Sequence, residues 1–274
     1  MSDNKRTAKS IIQEAIYTYD PVAVYVGFSG GSDSLATTHW MMKNVPGCKA
    51  FHANTGIGIE ATREFVRETC REYGWPLIEV RAKEDCGQDY DELVRERGFP
   101  GPDMHKKMYA RLKERCIEKV VRDSKTHRMD KVLIATGIRH DESRIRAGYA
   151  GREINRRGAQ VWANPLYWWT KGDMGKYIEH HGLPKNPVSD MLGMSGECLC
   201  GAFAHKGEKE LIRIIAPGVV DRIERLEKEC LKMGMTWGWE QHPPPGGYNP
   251  DQSVMDFETE QPMCVGCGKK GAMG

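Results

Sequence analysis

The sequence predicts an α/β fold: a Rossmann-like open parallel sheet with helices on both faces, followed by a Cys-containing C-terminal extension. Two observations predict it. Strand-like runs recur at 23–28, which is β-branched or aromatic and nearly all apolar, and at 49–53, 77–81 and 130–137, separated by stretches of helical periodicity. The first of these runs breaks into the turn "FSGGSDS", which opens the following helix. Strands alternating with helices need crossover connections, so the strands run parallel and are covered on both faces.

Residues 1–19 are polar, then amphipathic, without the apolar core or cleavage site of a secretory signal. No apolar run approaches the roughly 18–20 residues that span a bilayer. A cytoplasmic protein without a membrane partner is expected. The run 23–28 reads as a strand buried on both sides, and 33–43 as a helix capped by Ser32 or Asp33. Residues 60–74 form a helix with Phe65, Val66, Cys70 and Tyr73 on one side and Gly74 as its stop. Met104, Met108, Leu112, Cys116 and Val120 recur every four residues, one face of a further helix.

After Arg139 the pattern loosens into an arginine-rich stretch, 139–158, expected to be a long loop over the ligand side. A strand within "QVWANPLYWW", 160–169, a short helix from Lys171 and a helix begun after Pro217 and Gly218 follow. The expected division is a nucleotide-binding domain, 1–205, and a helical, cysteine-containing extension, 206–274. A net charge of +2 is too small to diagnose a nucleic-acid partner.

Two adjacent glycines let a backbone approach a ligand closely. Successive N–H groups in such a turn form an anion nest, reinforced by the following helix dipole. Ser29, Ser32 and Ser34 add hydroxyl donors. Asp33 would repel phosphates unless Mg²⁺ lies between them or it caps the helix. A plain, tight βα turn with a capped helix is the alternative. The Walker spacing is absent.

"SGGSDS" resembles the PP-loop signature of ATP pyrophosphatases, enzymes of adenine-nucleotide alpha-hydrolase-like fold that adenylate an acceptor and release pyrophosphate. Residues 54–66, 135–146 and 163–188 resemble, in order, segments of the phosphoadenosine phosphosulfate (PAPS) reductase-like family, and the likeness covers about 20–205. The resemblance implies that Ser29, Gly30, Gly31, Asp33 and Ser34 cradle the pyrophosphate of ATP, with Mg²⁺. It puts Asn54, Thr55 and Gly56 along the nucleotide pocket, and Gly137, Arg139, Glu142, Ser143 and Arg144 on its far wall. Asp33, Arg139 and Arg144 are the expected catalytic residues, because arginines stabilise a departing pyrophosphate. Arg152, Arg156 and Arg157 are either solvated or contact a larger substrate.

Nine cysteines are too many to be ignored in a reducing compartment, where they serve as metal ligands, nucleophiles or core residues. Cys198 with Cys200, and Cys264 with Cys267, form two close pairs of the kind that builds a four-sulfur site. Cys116 lies in a segment that resembles the region where iron–sulfur relatives place a ligand. A [4Fe–4S] cluster on Cys116, Cys198, Cys264 and Cys267, with Cys200 as a spare, stands beside a structural Zn²⁺ site and metal-free thiols. Cys48, Cys70, Cys86 and Cys230 read as packing residues.

Sulfonucleotide (PAPS or APS) reductases use a C-terminal E-C-G-x-H-like motif that is missing here, and they tend to carry a degraded loop. The intact loop resembles instead the sulfur-inserting enzymes, tRNA thiolases and the ATP pyrophosphatase of DNA phosphorothioation. That reading implies a nucleic-acid acceptor, a sulfur donor such as a cysteine desulfurase, and room for a homodimer. Trp237 and Trp239 either stack on nucleic acid or pack the tail onto the domain. A non-catalytic nucleotide-binding subunit is the third reading.

Overall fold

The computed structural model describes residues 6–140 and 152–241. Six strands form one sheet in the order β3-β2-β1-β4-β6-β5. They are β1 (Ala23–Gly27), β2 (Lys49–Asn54), β3 (Leu77–Arg81), β4 (Val132–Ala135), β5 (Ile154–Arg157) and β6 (Gln160–Ala163). All neighbours pair in parallel except β5, which runs antiparallel to β6 with Ile154 opposite Ala163 and Arg157 opposite Gln160. β1 lies between β2 and β4, so the strand order reverses there. The crevice beyond the carboxyl ends of β1 and β4 is the place where such sheets bind ligands.

β5 is a departure from the expected loop. A turn at Gly158, whose φ is +58, folds the end of the arginine-rich stretch back onto β6. Ile154 then packs against the core while Arg156 and Arg157 stay exposed. The arginines hide the strand from a hydrophobicity reading, and charge on an open edge discourages pairing with other chains.

Helices cover both faces. α1 (Ala8–Tyr19), capped by Thr7, and α2 (Ser32–Asn44) enclose a core of Ile12, Ala15, Val26, Met41, Leu133 and Val161. α3 (Glu60–Glu72) joins β2 to β3, followed by α4 (Ala82–Cys86) and α5 (Tyr90–Arg97). α6 (His105–Tyr109) continues through a π-helical turn, Ala110–Glu114, into α7 (Arg115–Ser124). A strict four-residue apolar repeat overshoots 3.6 residues per turn, and the wider i→i+5 turn absorbs the drift. Met104, Met108, Leu112, Cys116 and Val120 are therefore all buried.

α8 (Lys171–His180) starts on a Thr170–Asp173 capping box, and α9 (Pro187–Leu192) on Asn186. α10 (Glu208–Ile215) and α11 (Pro217–Lys232) bury Ile212, Val220, Ile223, Leu226 and Cys230 in the same core cluster as Tyr25, Tyr90 and Val132. Of the two readings of the tryptophans, the structure gives packing. Trp239 is 1% exposed and donates to the Leu199 carbonyl, while Trp237 donates to the Phe99 carbonyl and lies over Gly98. No helix among the described residues is long and apolar enough to cross a membrane.

Candidate active site

The turn after β1 is built as an anion cradle. Gly30 adopts φ +80, and a Cβ there would meet the Thr62 methyl at 2.8 Å. Both facts demand glycine. Gly31, not Ser32 or Asp33, is the N-cap of α2, and no side chain among the described residues caps that helix. The first-turn N–H groups, orphaned in any helix, therefore stay available to an anion. Ser34 is turned inward: its hydroxyl donates to the Gly31 carbonyl (2.8 Å) and accepts from the Ser29 amide (3.2 Å), with Ser29 Oγ also 3.2 Å away. Asn186 braces the turn from the far side of the fold, donating to the Gly30 carbonyl (3.0 Å) and to Thr62 Oγ1 (3.2 Å).

Asp33 neither caps α2 nor faces open solvent alone. Arg139, 6% exposed, donates to its carboxylate through Nε (3.3 Å) and Nη2 (3.2 Å). Two of the three expected catalytic residues are thus partners, from the first turn of α2 and the segment after β4. Gly137 permits this approach, because a Cβ on it would lie 2.8 Å from the Asp33 carbonyl oxygen. The cation holds a carboxylate in the cradle without leaving its charge uncompensated.

At the end of β2 the expected pocket residues are held by a network of internal hydrogen bonds. Asn54 accepts from the Gly56 amide (3.0 Å) and donates to Glu79 (2.7 Å). Gly56 supplies φ +77 for the turn. Thr55, fully buried, gives its amide to Glu197 Oε1 (2.9 Å) and its hydroxyl to the Glu197 carbonyl (2.7 Å). Glu79 is held down to about 2, first by the Arg67 guanidinium bonded to it, against burial and with help from Asn54.

Glu197 is the residue that sequence reasoning missed. It is 2% exposed, and its Oε2 lies 3.2 Å from His52 Nε2 and 3.5 Å from Arg63 Nε. These contacts are off-angle for hydrogen bonds, so charge attraction holds them. His52 Nδ1 sits 2.7 Å from the Phe28 carbonyl, immediately before the cradle. Burial pushes His52 down, but the Glu197 carboxylate and the Phe28 carbonyl outweigh it and raise the ring above its ordinary value. Burial likewise pushes Glu197 up, and His52, Arg63 and the Thr55 amide overcome this and lower it. The ring thus meets the Phe28 carbonyl through Nδ1 by a hydrogen bond and the Glu197 carboxylate through Nε2 by charge. Gly58 lies so close to the Glu197 backbone that a Cβ would run into it. Ile59 N–Gly196 O (2.9 Å) and Leu199 N–Ile57 O (3.0 Å) bonds flank the contact. The only sequence signal was the carboxylate beside Cys198, overshadowed by the cysteines.

This strap brings Cys198 and Cys200 to the flank of the site. They line a small cleft, about 50 Å³, with His105, Tyr109, Lys113 and Phe203. Cys200 is buried, Cys198 half-buried, and Tyr90 donates to the Cys200 carbonyl at 3.0 Å. Cys116 is fully buried in the same core cluster, and its thiol donates to the Leu112 carbonyl (3.4 Å). Cys86, half-buried, packs against that same cluster. Among the described residues no group of three or more His, Cys, Asp or Glu side chains could hold a metal ion. Glu142, Ser143, Arg144, Cys264 and Cys267 lie outside the described residues.

The profile of the phosphoadenosine phosphosulfate reductase domain matches residues 23–191. An adenosine 5′-phosphosulfate reductase of Salinibacter ruber is 25% identical over 184 residues, 66% of this chain and 68% of that protein. A tRNA(Ile)-lysidine synthase of Pseudomonas syringae pv. tomato is 27% identical over 166 residues, 58% of this chain and 35% of that protein. Among solved structures, the phosphate complex of PAPS reductase from Candida auris shares the fold. Its TM-score is 0.51 at 16% identity, over 68% of this chain and 85% of that one. With its cradle after β1, its strand-order reversal and this match, the chain belongs to the phosphoadenosine phosphosulfate reductase domain family.

Proposed function

We propose that the protein is an ATP-dependent PP-loop enzyme that adenylates an acceptor, releases pyrophosphate and serves sulfur insertion into nucleic acid. The observation that carries this reading is the intact cradle: Gly30 and Gly31 open, the first-turn amides of α2 uncapped, and Asp33 beside them. An anion nest next to a carboxylate suits a polyphosphate carrying Mg²⁺. An acceptor oxygen attacks the α-phosphorus, the bond to the β-phosphate breaks, and pyrophosphate leaves with its charge met by the nest amides and Arg139. A sulfur nucleophile then displaces AMP. That one relative acts on a sulfonucleotide and another is named for a tRNA supports sulfur and nucleic acid as the two themes.

The cysteines extend the proposal. A [4Fe–4S] cluster would supply a site for sulfide, and thiolates are the donor type it needs. Cys116, Cys198, Cys264 and Cys267 are the proposed ligands, with Cys200 adjacent, and a structural Zn²⁺ is the alternative. The proposed site also leaves room for a cysteine desulfurase as sulfur donor and for a homodimer.

The test has two parts. Pyrophosphate release from ATP is measured with tRNA and DNA as acceptors. No release with either acceptor, despite ATP binding, refutes the reading in favour of a non-catalytic subunit. Iron, zinc and labile sulfide are measured after anaerobic purification of wild type and a Cys264→Ser, Cys267→Ser variant. Iron and sulfide lost in the variant support the cluster, whereas zinc or no metal reduces the protein to a plain adenylating enzyme. The likeness to an adenosine 5′-phosphosulfate reductase keeps sulfonucleotide reduction as a second reading. Thiol-dependent sulfite release from that substrate would establish it.

A further inference from the structure

One cavity lies away from the nucleotide site. A groove of about 410 Å³ lies at the opposite, amino-terminal end of the sheet, between the end of α7, the turn that follows it, and the β5–β6 turn. Lys125, Arg128, Arg122 and Arg157 line it together with His127, against a single carboxylate, Glu118. Glu118 is itself paired with Arg115 at 2.9 Å. Arg122 is partly neutralised by Asp123 at 3.4 Å, and Arg157 faces Glu114 only at 3.8 Å. The groove therefore carries a surplus of positive charge on a protein whose net charge is close to zero.

The edge strand β5 continues that charge towards the active site. Arg157 is opposite Gln160 at the groove end, and Ile154 is opposite Ala163 at the ligand end, where exposed Arg152 precedes the strand. At about 3.3 Å per residue the four-residue strand spans about 13 Å. Protection of an open edge would explain Arg156 and Arg157 alone. It does not account for Lys125 and Arg128, which line the same groove from the turn after α7, Lys125 Nζ donating to the Arg128 carbonyl at 3.2 Å.

We propose that this groove and the β5 edge form a docking track for a polynucleotide backbone, which holds an acceptor while its reactive end reaches the nucleotide cradle. The inference rests on the reading that the acceptor is a nucleic acid. Cations along a shallow track suit backbone phosphates, which position a nucleic acid without reading its sequence.

The test is fluorescence anisotropy on the full chain with a labelled RNA hairpin and a labelled single-stranded DNA across a salt series. Melting and ATP binding are checked on the same preparations. A Lys125→Glu, Arg128→Glu, Arg157→Glu variant is expected to lose at least ~10-fold in affinity near 0.1 M salt, with ATP binding intact. A milder Lys125→Ala, Arg128→Ala variant should lower the slope of log affinity against log salt by about one per cation removed. Wild-type binding that both variants retain unchanged overturns the track and leaves a nucleic-acid acceptor standing, held elsewhere. If wild type binds neither probe, the track is refuted, while pyrophosphate release still judges the PP-loop reading separately. Displacement of the probe by polyglutamate as readily as by unlabelled RNA would refute a nucleic-acid track in favour of an acidic protein partner.

Discussion

Replacing Glu197 with alanine removes one carboxylate that four groups share: the Thr55 amide and hydroxyl, His52 and Arg63. Breaking a buried ion pair from one side leaves uncompensated charge and costs about 3–5 kcal/mol. Glu60, 3.2 Å from Arg63, offsets part of this, so about 3 kcal/mol is expected. For a chain of this size that is a fall in Tm of about 6–12 °C. The same change frees the strap carrying Cys198 and withdraws His52 from the Phe28 carbonyl at the mouth of the cradle, so ATP binding should weaken as well.

Glu197→Gln separates charge from shape. Glutamine keeps an acceptor for Thr55 but not the charge that raises His52. In the wild type, His52 contributes stability fully below its ordinary 6.5, lost as pH rises through its higher folded value. Glu197 contributes above its ordinary 4.5, lost as pH falls through its lower folded value. In Glu197→Gln, burial becomes the dominant influence on His52 and lowers it. Stability should then be lost as pH falls through 6.5, so the slope of Tm between about pH 6 and 8 changes sign. Thermal melts of the three proteins across that range decide the matter. A Glu197→Ala protein melting within about 2 °C of wild type, or a slope unchanged in Glu197→Gln, would refute the coupling of these residues.

Gly30→Ala combines a left-handed backbone position, which costs a side chain about 1–2 kcal/mol, with a 2.8 Å clash against Thr62. Calorimetry should show a lower Tm and loss of ATP binding. Asp33→Asn should lower Tm by about 2–4 °C, since it removes the carboxylate that faces the buried Arg139. It should slow Mg²⁺-dependent pyrophosphate release on the order of 10²-fold, and an undiminished rate would remove Asp33 from the chemistry. Trp239→Ala empties a fully buried site and orphans the Leu199 carbonyl. Chemical denaturation should register a loss of about 3–5 kcal/mol, whereas an acceptor-binding defect without destabilisation would restore the stacking role.

What the sequence made legible was whatever announces itself locally. Strands β1 and β4 are continuous apolar runs, β2 and β3 are short and largely apolar, and the βα turn carries its own glycines, so the sheet's main body and the position of the cradle could be read directly. β5 could not, because an edge strand needs only Ile154 inward and tolerates arginines elsewhere. The site was harder for a different reason. A carboxylate among glycines and serines invites the reading of a cap, yet Asp33 answers to Arg139, 106 residues away. Glu197 answers to Thr55, 142 residues away. Asn186 holds the Gly30 carbonyl across 156 residues. Each of these looks ordinary in its own neighbourhood. Its role exists only because a parallel sheet brings the carboxyl ends of distant strands together, and because loops returning from α8 and α9 close over that edge. Residues that touch a ligand through local geometry leave a local signature. Residues that hold those in place through burial and charge do so from wherever the topology returns the chain, and glycines such as Gly58 and Gly137, where a Cβ would clash with the returning segment, mark some of the places where it does.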